Sequence, residues 1–266
     1  HLPEGTRREL ERIVEILFAE FEDALKGRNA PHRKAGRILK VILFGSYARG
    51  DWVDDPKGGY KSDYDLLVVV NHEELADVLE YWREADDHLL REYQISHRLS
   101  APANFIVHSL ADVNQQLKRG RPFFVDIVRD GVALYEAPDQ PFATPVLPSS
   151  DEQLQEARAS FERWFESAGE FYDDFLGNMA KGRSSKAAFE AHQAVERYYH
   201  CVLLVLTLYS PKSHKLNFLR SQAERLAPEL IDAWPRETRF QQRSWELLRR
   251  AYVDARYSPH YKISDE

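Results

Sequence analysis

Cysteine occurs once in the 266 residues, at Cys201. A lone cysteine excludes any intrachain disulfide, which fits a reducing compartment. It stands in the run YYHCVLLVLTLY and reads as a small core residue. That run is also too short to cross a bilayer, which takes roughly 20 apolar residues. Positive charge is not in excess: 36 Lys and Arg stand against 43 Asp and Glu, a formal net charge of −7. This excludes a global basic field drawing the chain to nucleic acid or acidic membranes, but leaves room for a local basic groove. The opening HLPEGTRREL lacks the apolar stretch of a signal peptide, and His1 in place of Met reads as a processed start. Together these absences lead to the expectation of a cytoplasmic protein without a membrane partner.

What is present is core material. Hydrophobic residues make up 43% and charged residues 30%, enough for two domains. Leu10, Ile13, Ile16, Leu17 and Phe21 recur at helical spacing between charges, predicting a helix over about 6–25. KVILF, YDLLVVV, ANFIVHSL and DGVALYE read as strands, and the unbroken YDLLVVV predicts burial on both faces. HEELADVLEYWREADDHLLREY between them reads as one helix. SLADVNQQLKRG reads as another, with Ser109 as N-cap and Asp112 in the capping-box position. Strands alternating with helices predict an α/β domain over 1–136. APDQPFATPVLPSS, residues 137–150, carries four prolines and reads as an extended linker. Residues 151–266 contain no strand pattern and predict an all-helical bundle.

The stretch VILFGSYARGDWVDDPKGGYKSDYDLLVVV concentrates the chemistry. Residues i and i+2 of a strand share a side, so Asp63 and Asp65 aim at one spot while Tyr64 points away. Two carboxylates held together repel unless a cation lies between them, and a hard divalent ion such as Mg²⁺ shares such oxygens with phosphates. Gly45 lets a phosphate approach the backbone, and the Ser46 hydroxyl can hold it. GSYARG lacks the Gly-Lys-Ser/Thr ending of a Walker A loop. A solvated strand end remains the alternative for the aspartates taken alone, and an exposed turn residue the alternative for Arg49.

Here FGSYARGD…SDYDLLVVV resembles the DNA polymerase β nucleotidyltransferase superfamily, in particular its minimal prokaryotic branch, over roughly 10–136. The resemblance implies an α+β or α/β domain with a small mixed sheet. It implies that Gly45, Ser46 and Arg49 hold a nucleoside triphosphate, ATP or another, and that Asp63 and Asp65 are catalytic and bind Mg²⁺, with two ions possible. The reaction implied is transfer of AMP to a hydroxyl of a protein, an RNA or a small molecule. Two departures stand out. Pro56, Gly58 and Gly59 lengthen the loop between Ser46 and Asp63, as a tolerated insertion or a substrate lid. The family's third carboxylate is missing from ANFIVHSL, where Asn104 takes its place, with Ile106 and His108 on the same side; Asp112 is close in sequence but explained by its capping role, and Glu92 and Asp126 are remoter acids. A catalytically impaired nucleotide-binding module is therefore the alternative.

In the helical half, His192, Glu196 and His200 lie on one helix face, either as a metal face or as a polar stripe in a helix contact. HQAVE, SHKLNFL and AYVDARYSPHY resemble the HEPN family over about 151–264. That resemblance implies nucleotide or substrate binding and a homodimer through this domain. HEPN ribonucleases use a nearby Arg and His. Arg256 and His260 are the candidates, one residue too close and interrupted by Pro259, so a toxin–antitoxin-type ribonuclease is a further alternative. His214 reads as a loop or cap histidine. In two-gene relatives the transferase modifies the HEPN partner, which makes Tyr257 and Tyr261 candidate acceptors.

Overall fold

The computed structural model describes residues 2–26, 30–55, 60–146, 148–257, 261 and 263. The chain divides into two compact units, 1–148 and 149–266.

The first unit begins with helix α1 (Glu4–Leu25), whose Leu10, Ile13, Ile16, Leu17 and Phe21 are buried, as the helical spacing predicts. A single turn, α2 (Pro31–Lys34), leads to strand β1 (Ile38–Phe44) and the short helix α3 (Gly45–Arg49). A two-residue ribbon follows, β2 (Asp54–Asp55) with β3 (Tyr60–Lys61), and then β4 (Tyr64–Val70). Every residue of β1 and β4 is buried, which is why YDLLVVV needs no alternation. A 3₁₀ turn at Glu73–Ala76, α4 (Val78–Tyr81) and α5 (Arg83–Gln94) lead to β5 (Ala103–Ser109), then α6 (Leu110–Lys118), α7 (Pro122–Asp130) and β6 (Val132–Glu136).

The segment expected as one helix over 72–93 is thus broken twice. Asp77 accepts a hydrogen bond from the Glu80 N–H and so starts a new helix in place of continuing the old turn. Trp82 is fully buried, and its indole N–H donates to the Leu75 carbonyl at 2.7 Å, which holds the corner. Ser109 caps α6 as expected, accepting from the Asp112 N–H. The Asp112 carboxylate turns elsewhere, to His108 Nδ1 at 2.6 Å and Gln116 Nε2 at 2.9 Å.

The four strands form a mixed sheet in the order β5-β4-β1-β6. β1 runs antiparallel to β4 and β6, and β4 runs parallel to β5. One face packs Val41, Leu43, Leu66, Val68 and Val70 against α1 and α5, with Phe21 stacked on Trp82. The other face, with Phe44 and His108, meets Phe123 and Phe124 of α7 edge-on. The proline-rich segment lies with this unit. Ala143 N–H donates to Asn114 Oδ1 at 2.7 Å and Val146 N–H to the Leu117 carbonyl. Gly120, at φ +61°, sits so close to Val146 and Pro148 that any Cβ would collide.

The second unit is helical. α8 (Ser150–Ala180) and α9 (Ser184–Thr207) pair as an antiparallel hairpin, shown by contacts of Trp164 with His200 and Phe165 with Tyr198. α10 (Leu216–Leu226) and α11 (Arg239–Tyr257) close on α9, with Tyr199, Leu203, Leu219 and Ala223 as core. A small mixed sheet in one unit and long helices in the other are the fold class expected from the sequence. Among the described residues, no helix is long and apolar enough to cross a membrane.

Candidate active site

Strand register assembles the site. β1 ends where β4 begins because the two are antiparallel, and Phe44 pairs with Asp65. β4 and β5 start together because they are parallel, and Asp65 pairs with Asn104. Gly45 and Ser46, the two aspartates and Asn104 therefore meet at one end of the sheet. Gly45 has φ +77°, which turns the chain sharply out of β1 into α3. Gly50, at φ +87°, ends α3, and its N–H returns to the Ser46 carbonyl at 2.9 Å. Tyr64, between the aspartates, points into the core, where its ring meets Tyr47 and its hydroxyl donates to Glu9.

Asp65 is 5% exposed and Asp63 is half-buried. Burial pushes the Asp63 carboxyl up, the neighbouring Asp65 charge pushes it further, and a hydrogen bond from Asn104 partly offsets both, leaving it at about 7. That hydrogen bond runs from Asn104 Nδ2 to Asp63 Oδ2 at 2.9 Å. Two acids that raise each other's cost of ionisation, with only oxygen donors, suit a hard divalent cation. Among the described residues no third acid joins them to make a three-ligand metal cluster. Glu92 is ion-paired with Arg12 of α1, and Asp126 pairs with Arg129 at the surface. Arg49 is engaged too: its Nε and Nη2 donate to the Asp51 carboxylate at 3.2 and 3.1 Å.

Comparison with known proteins agrees with this geometry. Residues 31–138 match the family model described as "Polymerase beta, Nucleotidyltransferase", and residues 161–266 match that of the HEPN domain. The chain joins a polymerase β-type nucleotidyltransferase domain to a HEPN domain. A curated relative from Methanocaldococcus jannaschii, named as a candidate protein adenylyltransferase, is 48% identical over 55 residues. That match spans 21% of this chain and 44% of the relative. Among solved structures, a spectinomycin adenyltransferase from Enterococcus faecialis with ATP and spectinomycin aligns over 81% of this chain and 98% of its own. Its TM-score is 0.31 and its identity 12%, too distant to carry an argument.

In the HEPN domain the His192–Glu196–His200 stripe is internal. His192 Nδ1 faces the Leu248 carbonyl of α11 at 3.0 Å, and its Nε2 lies 3.5 Å from Glu196. His200 Nδ1 meets Ser210 Oγ at 2.6 Å. His214, distant in sequence, joins the cluster with Nδ1 2.9 Å from Glu196 Oε1 and its ring stacked on Tyr252. Sequence spacing gave no sign of this contact, because His214 sits in a loop outside the helical repeat. Burial opposes ionisation of Glu196, but the nearby His192 ring, the hydrogen bond from His214 and the charges of His214 and His200 outweigh it, holding the carboxyl down at about 2. The stripe ties α9 to α11 and to the loop before α10, and no three-ligand metal cluster forms among the described residues. Pro56, Gly58, Gly59 and His260 lie outside the described residues, as do the side chains of Arg256 and Tyr257.

Proposed function

We propose that the nucleotidyltransferase domain transfers AMP from ATP to an acceptor hydroxyl. The observation that supports this is the row made by register: Gly45 and Ser46, then Asp63 and Asp65, then Asn104. The acceptor oxygen bonds to the α-phosphorus, the bond from that phosphorus to the bridging oxygen breaks, pyrophosphate leaves with the bonding electron pair, and the hydroxyl's proton passes to water. Gly45 allows the triphosphate close to the backbone, and the Ser46 hydroxyl holds a phosphate oxygen. Arg49, held by Asp51, keeps further guanidinium N–H groups to donate to a phosphate oxygen. Asp63 and Asp65 would hold Mg²⁺, which when bound neutralises phosphate charge and orients the triphosphate. The name of the archaeal relative, a protein adenylyltransferase, supports adenylyl transfer with a protein as acceptor. Tyr261 is one such hydroxyl in this chain. It donates to the Leu247 carbonyl at 3.0 Å, and burial pushes it up to about 12.

ATP with Mg²⁺ is expected to bind in calorimetric titration, and α-label from ATP to pass to an acceptor. Asp65→Ala should lower transfer about 100-fold or more; unchanged transfer overturns the proposal. Asn104 favours a second reading, a module that binds nucleotide without transferring it, because an amide cannot accept the acceptor's proton. Tight binding with no transfer to any acceptor would select it.

The HEPN domain, in this reading, binds substrate or nucleotide and pairs two copies of a cytoplasmic protein. Leu154, Phe161, Phe165, Tyr172 and Leu176 support the pairing. They recur along one side of α8 and are each 47–49% exposed, an apolar stripe that a second copy would cover.

A further inference from the structure

We propose that this site takes one divalent cation, not two, and that Asn104 sets the number. The substrate side of this proposal rests on the nucleotidyltransferase reading; the ion count does not. Asp63 and Asp65 together carry two negative charges when ionised, enough to balance one divalent ion. Two ions sharing such a site stand about 3.5–4 Å apart and repel strongly, so they need further anionic oxygen between and around them. The third wall of the site is Asn104, opposite Asp65 in register on β5. Its Nδ2 donates to Asp63 Oδ2 at 2.9 Å. The wall therefore presents the positive end of an amide dipole to the carboxylate that a second ion would share. Rotating the amide would offer its oxygen, which is a neutral ligand and adds no charge.

The other described acids around this end of the sheet are committed to cations of the protein. Asp51 pairs with Arg49 at 3.1 Å, Asp54 with Lys61 at 3.0 Å and Asp130 with Arg129 at 2.6 Å. None forms a three-ligand set with the aspartates among the described residues. Asn104 thus acts as a positioning residue: it fixes Asp63 by a hydrogen bond and itself adds no charge to that wall of the site. The half of the site that holds the triphosphate is kept, and the half that faces the acceptor has no ion of its own.

Manganese titration of the full chain, followed by loss of the free-ion paramagnetic resonance signal, tests this with and without a non-hydrolysable ATP analogue. Asp65→Asn supplies the background from surface carboxylates. One specific ion is expected in the natural protein and two in Asn104→Asp. A third acid beside two others also destabilises the empty site, so Asn104→Asp should melt below the natural protein in EDTA and gain more on adding manganese. Two specific ions in the natural protein overturn the proposal. So does none, and so does a single ion in Asn104→Asp when circular dichroism shows it folded. If the counts are one and two but the analogue fails to bind, the ion assignment stands and the nucleotide reading falls.

Discussion

Gly45 is the residue on which the site's geometry turns. Its φ of +77° belongs to the left-handed region, where an L side chain costs about 1–2 kcal/mol. Gly45→Ala should therefore lower the stability of the first unit by about 1–2 kcal/mol in urea titration, even though it adds only a methyl group. If the proposed function holds, it should also weaken ATP binding, because the triphosphate is proposed to approach the backbone at Gly45. The glycine, the serine and the Asp-x-Asp pair were legible in the sequence because their meaning is local: a turn residue, a hydroxyl and a period of two. Asn104 was legible only through the strand pattern of ANFIVHSL, which allowed its place on β5 to be counted. Its bond to Asp63 needed the register of β4 on β5. The pairing of Arg49 with Asp51 was not legible, since an exposed arginine has no pattern that names its partner.

At the scale of elements, capping decides where helices begin. α8 starts with a full capping box: Ser149 Oγ accepts from the Glu152 N–H, and the Glu152 carboxylate accepts from the Ser149 N–H at 3.0 Å. Ser149→Ala is expected to cost the second unit about 1 kcal/mol, read as a shift in its denaturation midpoint with the first unit unmoved. The same physics explains where sequence periodicity failed. Residues 72–93 read as one helix, yet Asp77 offers a cap and Trp82 demands a buried corner, so one expected helix becomes three short pieces. Local side-chain bonding and the burial of a large ring outweigh propensity summed along the segment.

For the whole molecule, two units with separate cores predict two unfolding transitions. The second should be the acid-sensitive one. Glu196 is depressed to about 2 from an unfolded value of 4.5, so its contribution is complete above pH 4.5 and is lost as pH falls through 2. Burial lowers His200 below 6.5, so the unfolded chain binds more protons there as well, and acid again destabilises. The groups facing Glu196 are His192 and His200 from α9 and His214 from the loop. In Glu196→Gln, the drop in the second unit's urea midpoint between pH 5 and pH 3 should be smaller than in the natural protein. An equal drop would show that the acid limb comes from elsewhere. The stripe on α8 makes its own prediction: the chain should sediment as a dimer, and Phe161→Ser with Phe165→Ser should give a monomer with both units folded.

The sequence alone determined the class of each half, because hydrophobic period, capping and proline content act over a few neighbouring residues. It also determined the glycine turn and the paired aspartates, which lie within one stretch of chain. Only the tertiary structure decided what stands beside them. Strand register set Asn104 against Asp63, and helix packing brought His214 to Glu196 across a loop. Both contacts join residues far apart in the chain, and such contacts depend on how backbones are laid side by side, which no local pattern encodes.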